Sequence, residues 1–170
     1  MLGTPRAPKH RASAERSPTT IRQGWAWIVL TSAHMWRPRA LVAEDDADLL
    51  AVVANIVDGL GIDVVCASDG GELLQRLAED GPFDVVVTDV AMPWMTGLHV
   101  MHSARASGLA CPVIVMTALR DQRTNEQIAA LGDDVRLLRK PFSLAALRGA
   151  LRALVFRSSV THRSATAGQW

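Results

Sequence analysis

The chain has 170 residues, 49% hydrophobic and 21% charged, so it can bury one ordinary core but not two full domains. Its formal net charge of +1 conceals a division, because residues 1–38 carry six basic residues against one acidic residue, whereas residues 39–156 carry sixteen acidic against ten basic. Cys66 and Cys111 have neither CxxC nor Cys/His spacing, which argues against a disulfide framework or a zinc site and predicts two buried thiols.

The first 38 residues differ from the rest of the chain. As far as Gln23 they are rich in Arg, Pro, Ser and Thr without an apolar period, which predicts a basic, mostly disordered extension over residues 1–38. The apolar run at residues 25–33 is too short to span a membrane and only loosely resembles a secretory signal peptide. Because Met35 stands just before the first regular pattern, a translation start there is an alternative explanation.

From Arg39 onward, short apolar runs alternate with amphipathic stretches. Strands are predicted at residues 39–45, 62–67, 83–88, 112–117 and 135–138. Helices are predicted at residues 49–60, 71–80, 98–107, 123–131 and 144–155. This fivefold alternation, with strands that are almost wholly apolar, predicts an α/β fold in which an open five-stranded parallel sheet carries helices on both faces.

Polar side chains follow four of the five predicted strands. The first strand ends in Glu44, Asp45 and Asp46, the third in Asp89, the fourth in Thr117, and the fifth is followed by Arg139, Lys140 and Pro141. Ligands of open parallel sheets bind beyond the carboxyl ends of the strands, so these groups are expected at one site. Crowded carboxylates raise each other's pKa unless a cation holds them, and such hard oxygen ligands suit Mg²⁺.

These motifs resemble the receiver domain of two-component response regulators over residues 39–156. They are the acid pair Glu44-Asp45, the block DVAMPWMTG from Asp89, Thr117-Ala118 after the fourth strand, and the triplet Lys140-Pro141-Phe142. The resemblance implies a flavodoxin-like (βα)5 fold with strand order 2-1-3-4-5. Residues 157–170 form a polar tail too short for a helix-turn-helix, which favours a stand-alone receiver.

The resemblance implies that a histidine kinase, a phosphotransfer protein or a small phosphodonor transfers a phosphoryl group to the Asp89 carboxylate. Lys140 would neutralise the phosphoryl oxygens, and Thr117 would donate its hydroxyl to them. A cis peptide between Lys140 and Pro141 would aim the ammonium group inward.

The resemblance also implies a bound Mg²⁺. Asp45 and Asp89 would bind the metal directly, Glu44 would bind it through water, and the third direct protein ligand would be the backbone carbonyl of Ala91. Small residues such as Ala91, and the apolar Leu119, cannot orient a water molecule toward the acyl phosphate, so slow autodephosphorylation is expected.

The partners implied by the resemblance are proteins. The chain would receive phosphoryl from a kinase or phosphotransfer protein and signal through contact with a downstream protein target. It would act in the cytoplasm as a monomer or weak dimer, without a membrane and without a specific nucleic-acid partner. It would not be an enzyme beyond catalysing its own phosphorylation and slow dephosphorylation.

Two features depart from the family pattern. Three residues before Lys140, where receivers usually carry a Tyr or Phe that turns inward on activation, this chain has Leu137, and it contains no Tyr. The stretch between Gly132 and Lys140 is one residue longer than the common form. Both features predict altered or weak coupling through the face formed by the fourth helix and the fifth strand.

Structural alternatives remain for the assigned residues. They are an Asp89 that opens a turn, a Lys140 that is a solvated surface charge, and a Thr117 that merely ends a strand. Asp46 and Asp48 are assigned to a helix N-terminus alone, where acids complement the helix dipole.

Two alternative functions also remain. A receiver fold could serve only as an interaction or dimerisation module, a reading that Leu137 keeps open. A small hydrolase with an aspartate nucleophile would need a general acid two residues after Asp89, where this chain has Ala91.

Overall fold

A computed structural model describes the backbone of residues 37–165 and the side chains of residues 37–155. The strands are β1 (Arg39–Ala43), β2 (Asp63–Ala67), β3 (Val85–Asp89), β4 (Val113–Thr117) and β5 (Val135–Arg139). The helices are α1 (Ala47–Asp58), α2 (Gly70–Glu79), α3 (Gly97–Ala106), α4 (Gln122–Ala129) and α5 (Leu144–Ala165). Within this described part, none of the helices combines the length and apolar character that a bilayer crossing requires.

The five strands form one parallel sheet in the order β2-β1-β3-β4-β5, as the resemblance to receiver domains implies. Helices cover both faces, because α2, α3 and α4 contribute to one buried apolar cluster and α1 and α5 to the other. The central strands β3 and β4 are buried at every position, which explains their continuous runs of apolar and β-branched residues. The prediction of a doubly covered parallel sheet is therefore confirmed.

Side-chain caps begin all five helices. The capping residues are Asp46 for α1, Asp69 for α2, Thr96 for α3, Asp121 for α4 and Ser143 for α5. Each side-chain oxygen accepts a backbone N–H from the first helical turn, which would otherwise lack a partner. Asp46 accepts from Asp48 and Leu49, both at 3.0 Å, so the structure shows it capping the helix as predicted.

The two ends of the described region differ from the predicted bounds. Arg37, which the sequence assigns to the extension, forms an ion pair of 3.0 Å with Asp63, at the start of β2. Helix α5 continues to Ala165, ten residues beyond its predicted end at position 155. The rest of the predicted extension, with the apolar run at residues 25–33, lies outside the described residues.

One of the two thiols is not buried. Cys111, two residues before β4, is buried, and burial raises its pKa to about 12, so it stays protonated. Cys66 is exposed, and the prediction of two buried thiols is wrong for this residue. The reason is its place on β2, which lies at the edge of the sheet and is only partly covered.

The backbone between β3 and α3 passes very close to its neighbours. A Cβ atom added at Gly97 would lie 2.1 Å from the Asp89 carbonyl oxygen and 2.3 Å from the Thr88 hydroxyl oxygen. Gly97 therefore allows α3 to begin directly against the end of β3. This close approach fixes the loop that follows Asp89.

We expect Gly97→Ala to lower the free energy of unfolding by about 1–3 kcal/mol, because the new methyl group forces the backbone of Asp89 aside. Gly149→Ala is the matched control, since a Cβ there meets nothing within 4 Å and should stabilise helix α5 by about 0.5–1 kcal/mol. Urea denaturation measures both. Equal effects of the two substitutions would contradict the close contact.

Candidate functional site

Two buried carboxylates share one ammonium group at the carboxyl edge of the sheet. Lys140 Nζ lies 2.6 Å from Asp89 Oδ1 and donates to both oxygens of Glu44, at 2.9 and 2.8 Å. Glu44 is 1% exposed and Asp89 4% exposed, whereas the Lys140 side chain retains 22% exposure. These three residues, assigned to one site from the sequence, are thus in direct contact.

The fold brings these groups together because β1 and β3 are neighbours. Glu44 follows β1, and Asp89 is the last residue of β3. Lys140 follows β5, and its N–H donates to the Thr117 carbonyl at the end of β4 (2.9 Å). The peptide between Lys140 and Pro141 is cis, as the resemblance implies.

The Asp89 carboxylate is held at both oxygens. While Oδ1 contacts Lys140, Oδ2 accepts the backbone N–H of Ala91 at 2.5 Å. Neighbouring backbone bonds fix the same segment, since Val90 N–H donates to Met116 at 3.1 Å. Asp89 therefore has a fixed orientation instead of the freely rotating carboxylate of a surface turn.

Three carboxylates could hold a metal ion here. One oxygen each of Glu44, Asp45 and Asp89 lies within 4.8 Å of the others, and Asp45 is exposed to solvent. Opposite ligands of an octahedral Mg²⁺ are about 4 Å apart, so the cluster has nearly the required span. The donor set consists only of hard oxygens, which fits Mg²⁺. Ala91 is exposed beside this cluster.

The electrostatics of the site follow from burial. Burial raises the pKa of Glu44, and the charge of Asp89 adds to the increase, which outweighs the opposing hydrogen bond and charge of Lys140. Burial alone would lower the pKa of Lys140, but its hydrogen bonds and charge interactions with Asp89 and Glu44 outweigh burial and raise it. Lys140 is therefore a permanent cation, and Glu44 binds a proton more readily than a free glutamate.

Thr117 lies at the same edge, buried at the end of β4. Its hydroxyl oxygen accepts the backbone N–H of Leu119 at 3.0 Å, which links the strand to the loop before α4. A hydroxyl that accepts one bond still has its own proton to donate. Leu119 is exposed, so this loop is accessible to solvent and to ligands.

Sequence reasoning placed Arg139 at this edge of the sheet but gave it no role. Its guanidinium donates to the Leu119 carbonyl and to the Asn125 side chain, and so joins β5 to the β4–α4 loop and to α4. Leu137, two residues earlier on β5, is exposed. The signal that could have revealed these contacts is the β4–β5 register. It pairs Arg139 with Thr117 and so places the guanidinium beside that loop.

Comparisons with known proteins agree with this geometry. A family model described as the response regulator receiver domain matches residues 40–152. The chain is 36% identical over 131 residues to the transcriptional regulatory protein PrrA of Mycobacterium tuberculosis, and the alignment covers 76% of this chain and 54% of that protein. It is 39% identical over 124 residues to the response regulator MprA of Mycolicibacterium vanbaalenii, and the alignment covers 71% of this chain and 52% of that protein.

Solved structures give the same result. The receiver domain of the Francisella response regulator 1452 superposes with a TM-score of 0.65 at 31% identity, covering 72% of this chain and 99% of that domain. The Vibrio cholerae chemotaxis protein CheY4 superposes with a TM-score of 0.63 at 26% identity, covering 70% and 99%. The chain spans about half the length of the curated relatives that it matches.

We expect Glu44→Gln to become more stable relative to the natural chain as pH rises. The pKa of Glu44 is raised on folding. The contribution of this carboxyl group to the free energy of unfolding is therefore complete below the ordinary pKa of 4.5 and is lost as pH rises through the folded pKa. Glutamine does not titrate. The free energies of unfolding at pH 4 and pH 7, measured with EDTA present, give the comparison.

The exposed Asp48→Asn substitution serves as the control for loss of one carboxylate, and its trend is subtracted from that of Glu44→Gln. A remaining stability difference that is the same at pH 4 and pH 7 would mean that the Glu44 carboxyl is not perturbed by burial.

We expect Arg139→Ala to speed amide hydrogen exchange about fivefold in residues 119–125, because two hydrogen bonds that hold this segment are lost at a net cost of about 1 kcal/mol. Arg136→Ala is the control, since its guanidinium bonds the carbonyl of its neighbour Val135. Unchanged exchange in Arg139→Ala would show that the β4–α4 loop is held by other contacts.

Proposed function

Since the chain belongs to the response regulator receiver domain family, we propose that Asp89 accepts a phosphoryl group with the help of Mg²⁺ and that the phosphorylated domain signals through a protein contact. The observation that carries this proposal is the 2.6 Å contact between Lys140 Nζ and Asp89 Oδ1 beside the carboxylates of Glu44 and Asp45. A turn residue would need neither a cation in direct contact nor further acids.

In the proposed reaction, a carboxylate oxygen of Asp89 attacks the phosphorus atom of the donor. The new bond joins that oxygen to phosphorus, while the P–N bond of a phosphohistidine breaks and its electron pair leaves with the imidazole. The Ala91 N–H and the Lys140 ammonium orient the carboxylate before attack. Lys140 then lies where negative charge spreads over the phosphoryl oxygens.

Formal charges support the assignment of Mg²⁺. The carboxylates of Glu44, Asp45 and Asp89 against the single ammonium of Lys140 leave a formal charge of −2. Bound there, Mg²⁺ would neutralise this charge and stabilise the negative charge of the phosphoryl group. Asp45, Asp89 and the carbonyl of Ala91 are the proposed direct ligands. Glu44 is the proposed indirect ligand through water, because Lys140 engages both its oxygens.

Coupling to the rest of the domain is proposed to run through the β4–α4 loop. Thr117 donates its free hydroxyl proton to the phosphoryl group while Leu119 N–H still holds its oxygen. Arg139 ties the same loop to β5 and α4. This route does not need the inward-turning aromatic residue that Leu137 replaces.

The proposed partners are a phosphohistidine protein that supplies the phosphoryl group and a protein that reads the result. We propose that the phosphoryl transfer and the contact with the reading protein both take place in the cytoplasm. A domain that only mediates contacts is the second candidate, and the exposed Leu137 on β5 favours it. The two candidates differ in whether Asp89 becomes phosphorylated.

Incubation of the full chain with phosphoramidate and Mg²⁺, followed by intact-mass measurement, tests the proposal. We expect a gain of one phosphoryl group in the natural chain and in Asp48→Asn, and none in Asp89→Asn. After donor removal the added mass should persist for minutes, because neither Ala91 nor Leu119 can orient a water. An unmodified natural chain would favour the contact module, and continuous phosphate release would favour a hydrolase.

We expect a saturable Mg²⁺-dependent change in tryptophan emission, because Trp94 lies five residues after Asp89 in the loop beside the proposed metal. The chain contains five tryptophans, so the signal is assigned by its loss in Trp94→Phe. Asp45→Asn should raise the Mg²⁺ midpoint at least about tenfold, as expected for a metal ligand.

The matched control for this titration is Asp48→Asn, which removes a helix-terminal charge worth about 0.3–1 kcal/mol and should shift the midpoint at most about fivefold. If the two variants have the same midpoint, Asp45 is not a ligand.

A further inference from the structure

Trp94 is an exposed apolar ring on an unfavourable backbone. Its side chain is 97% exposed, the highest exposure among the large apolar residues that the structure describes. Its φ of 64° lies in the left-handed region, where bulky residues are rare and glycine or asparagine is favoured. An exposed ring buries little surface that could offset this cost, so the fold does not explain why tryptophan occupies the position.

The loop that carries Trp94 is held in place on both sides. Met95 N–H donates to the Pro93 carbonyl at 2.7 Å, and Gly97 N–H donates to Val90 at 3.3 Å. A Cβ atom added at Gly70 would lie 1.9 Å from the Met95 carbonyl oxygen, which shows how closely α2 packs against the loop. The ring is therefore presented to solvent from a rigid backbone, the arrangement that makes an interface anchor effective.

Other exposed groups at the same edge of the sheet indicate what could cover Trp94. Large apolar side chains are also exposed at Leu119, in the next loop of the same edge, and at Val52 and Leu144, which line a groove with Lys140. Exposed carboxylates of Asp45, Asp46 and Asp48 lie at the start of α1 on this edge. Arg120 is exposed beside Leu119, so the negative charge of the face around Asp89 is concentrated at the start of α1. This face thus combines exposed apolar side chains with a local cluster of carboxylates.

We propose that Trp94 is the anchor through which a protein phosphodonor docks on this domain, by inserting into an apolar pocket next to the donor's phosphohistidine in a basic surface. The inference rests on the proposed phosphorylation of Asp89 and adds a residue that selects the donor. A small phosphodonor reaches the carboxylate without covering a ring five residues away, whereas a protein can bury the 150–250 Å² that an aromatic side chain offers.

Charge decides between a donor protein and a second copy of this chain. Two copies meeting through this face would bring Asp45, Asp46 and Asp48 against their own counterparts, and such like-charge contacts oppose association. A basic donor surface would instead be attracted to the same carboxylates. The occupant is therefore a different protein with a positively charged rim.

The test compares two donors with one variant. Trp94→Gly suits the left-handed backbone and removes the ring. Histidine kinases of the organism that encodes the chain are purified and phosphorylated. The kinase that transfers its phosphoryl group to the natural chain fastest is then used as the protein donor. We expect its phosphotransfer rate to fall at least about tenfold in Trp94→Gly, as for loss of an interface hot spot, while the rate with phosphoramidate and Mg²⁺ stays within about twofold.

Leu74→Ala, which removes another exposed apolar side chain from α2, is the control and should change neither rate. If the phosphotransfer rate of Trp94→Gly falls equally with the kinase and with phosphoramidate, or falls with neither, the docking role is overturned. A natural chain that phosphoramidate phosphorylates but no kinase does, or a change of oligomeric state in Trp94→Gly, would also overturn it. A natural chain phosphorylated by neither donor would instead reject the proposed function itself.

Thermal unfolding adds a readout that needs no partner. Trp94→Gly should unfold at the same or a higher temperature than the natural chain, because the relief of the left-handed conformation offsets the greater freedom of glycine in the unfolded state. A clearly lower unfolding temperature would show that the ring supports the fold, and it would overturn its assignment as a docking anchor.

Discussion

The ammonium group of Lys140 between the carboxylates of Glu44 and Asp89 is the interaction on which the site depends. Two acids that are almost fully buried could not both remain charged at this edge without a cation beside them. Such an ion pair contributes little net stability, because desolvation costs about as much as the attraction gains. The proposed phosphoryl transfer at Asp89 accounts for its presence better than stability does.

The sheet order supplies the geometry that this interaction requires. Because β1 and β3 are adjacent, Glu44 and Asp89 emerge side by side, while Lys140 must reach past the end of β4. Its backbone N–H bond to Thr117 anchors that reach, and Arg139 fixes the loop that begins at the same point. The residues that would hold the phosphoryl group and those that would transmit its presence therefore share one edge of the sheet.

The order of strands and helices, and the residues at the strand ends, could be predicted because buried parallel strands are long apolar runs that end in polar groups. Other features depend on tertiary geometry. Arg139 contacts Leu119 and Asn125, which are 20 and 14 residues away in sequence, so only the β4–β5 register reveals the contact. The exposure of Cys66 follows from the edge position of β2, and the backbone of Trp94 follows from a turn.

Chemical mapping of the phosphorylated residue tests the central claim most directly. Borohydride reduces an aspartyl phosphate to homoserine, whereas free carboxylates and phosphate esters of Ser or Thr do not react. After treatment with phosphoramidate and Mg²⁺, the account predicts homoserine at position 89 alone, identified by peptide mass spectrometry. Conversion at Asp45 or another acid, with position 89 unchanged, would contradict it.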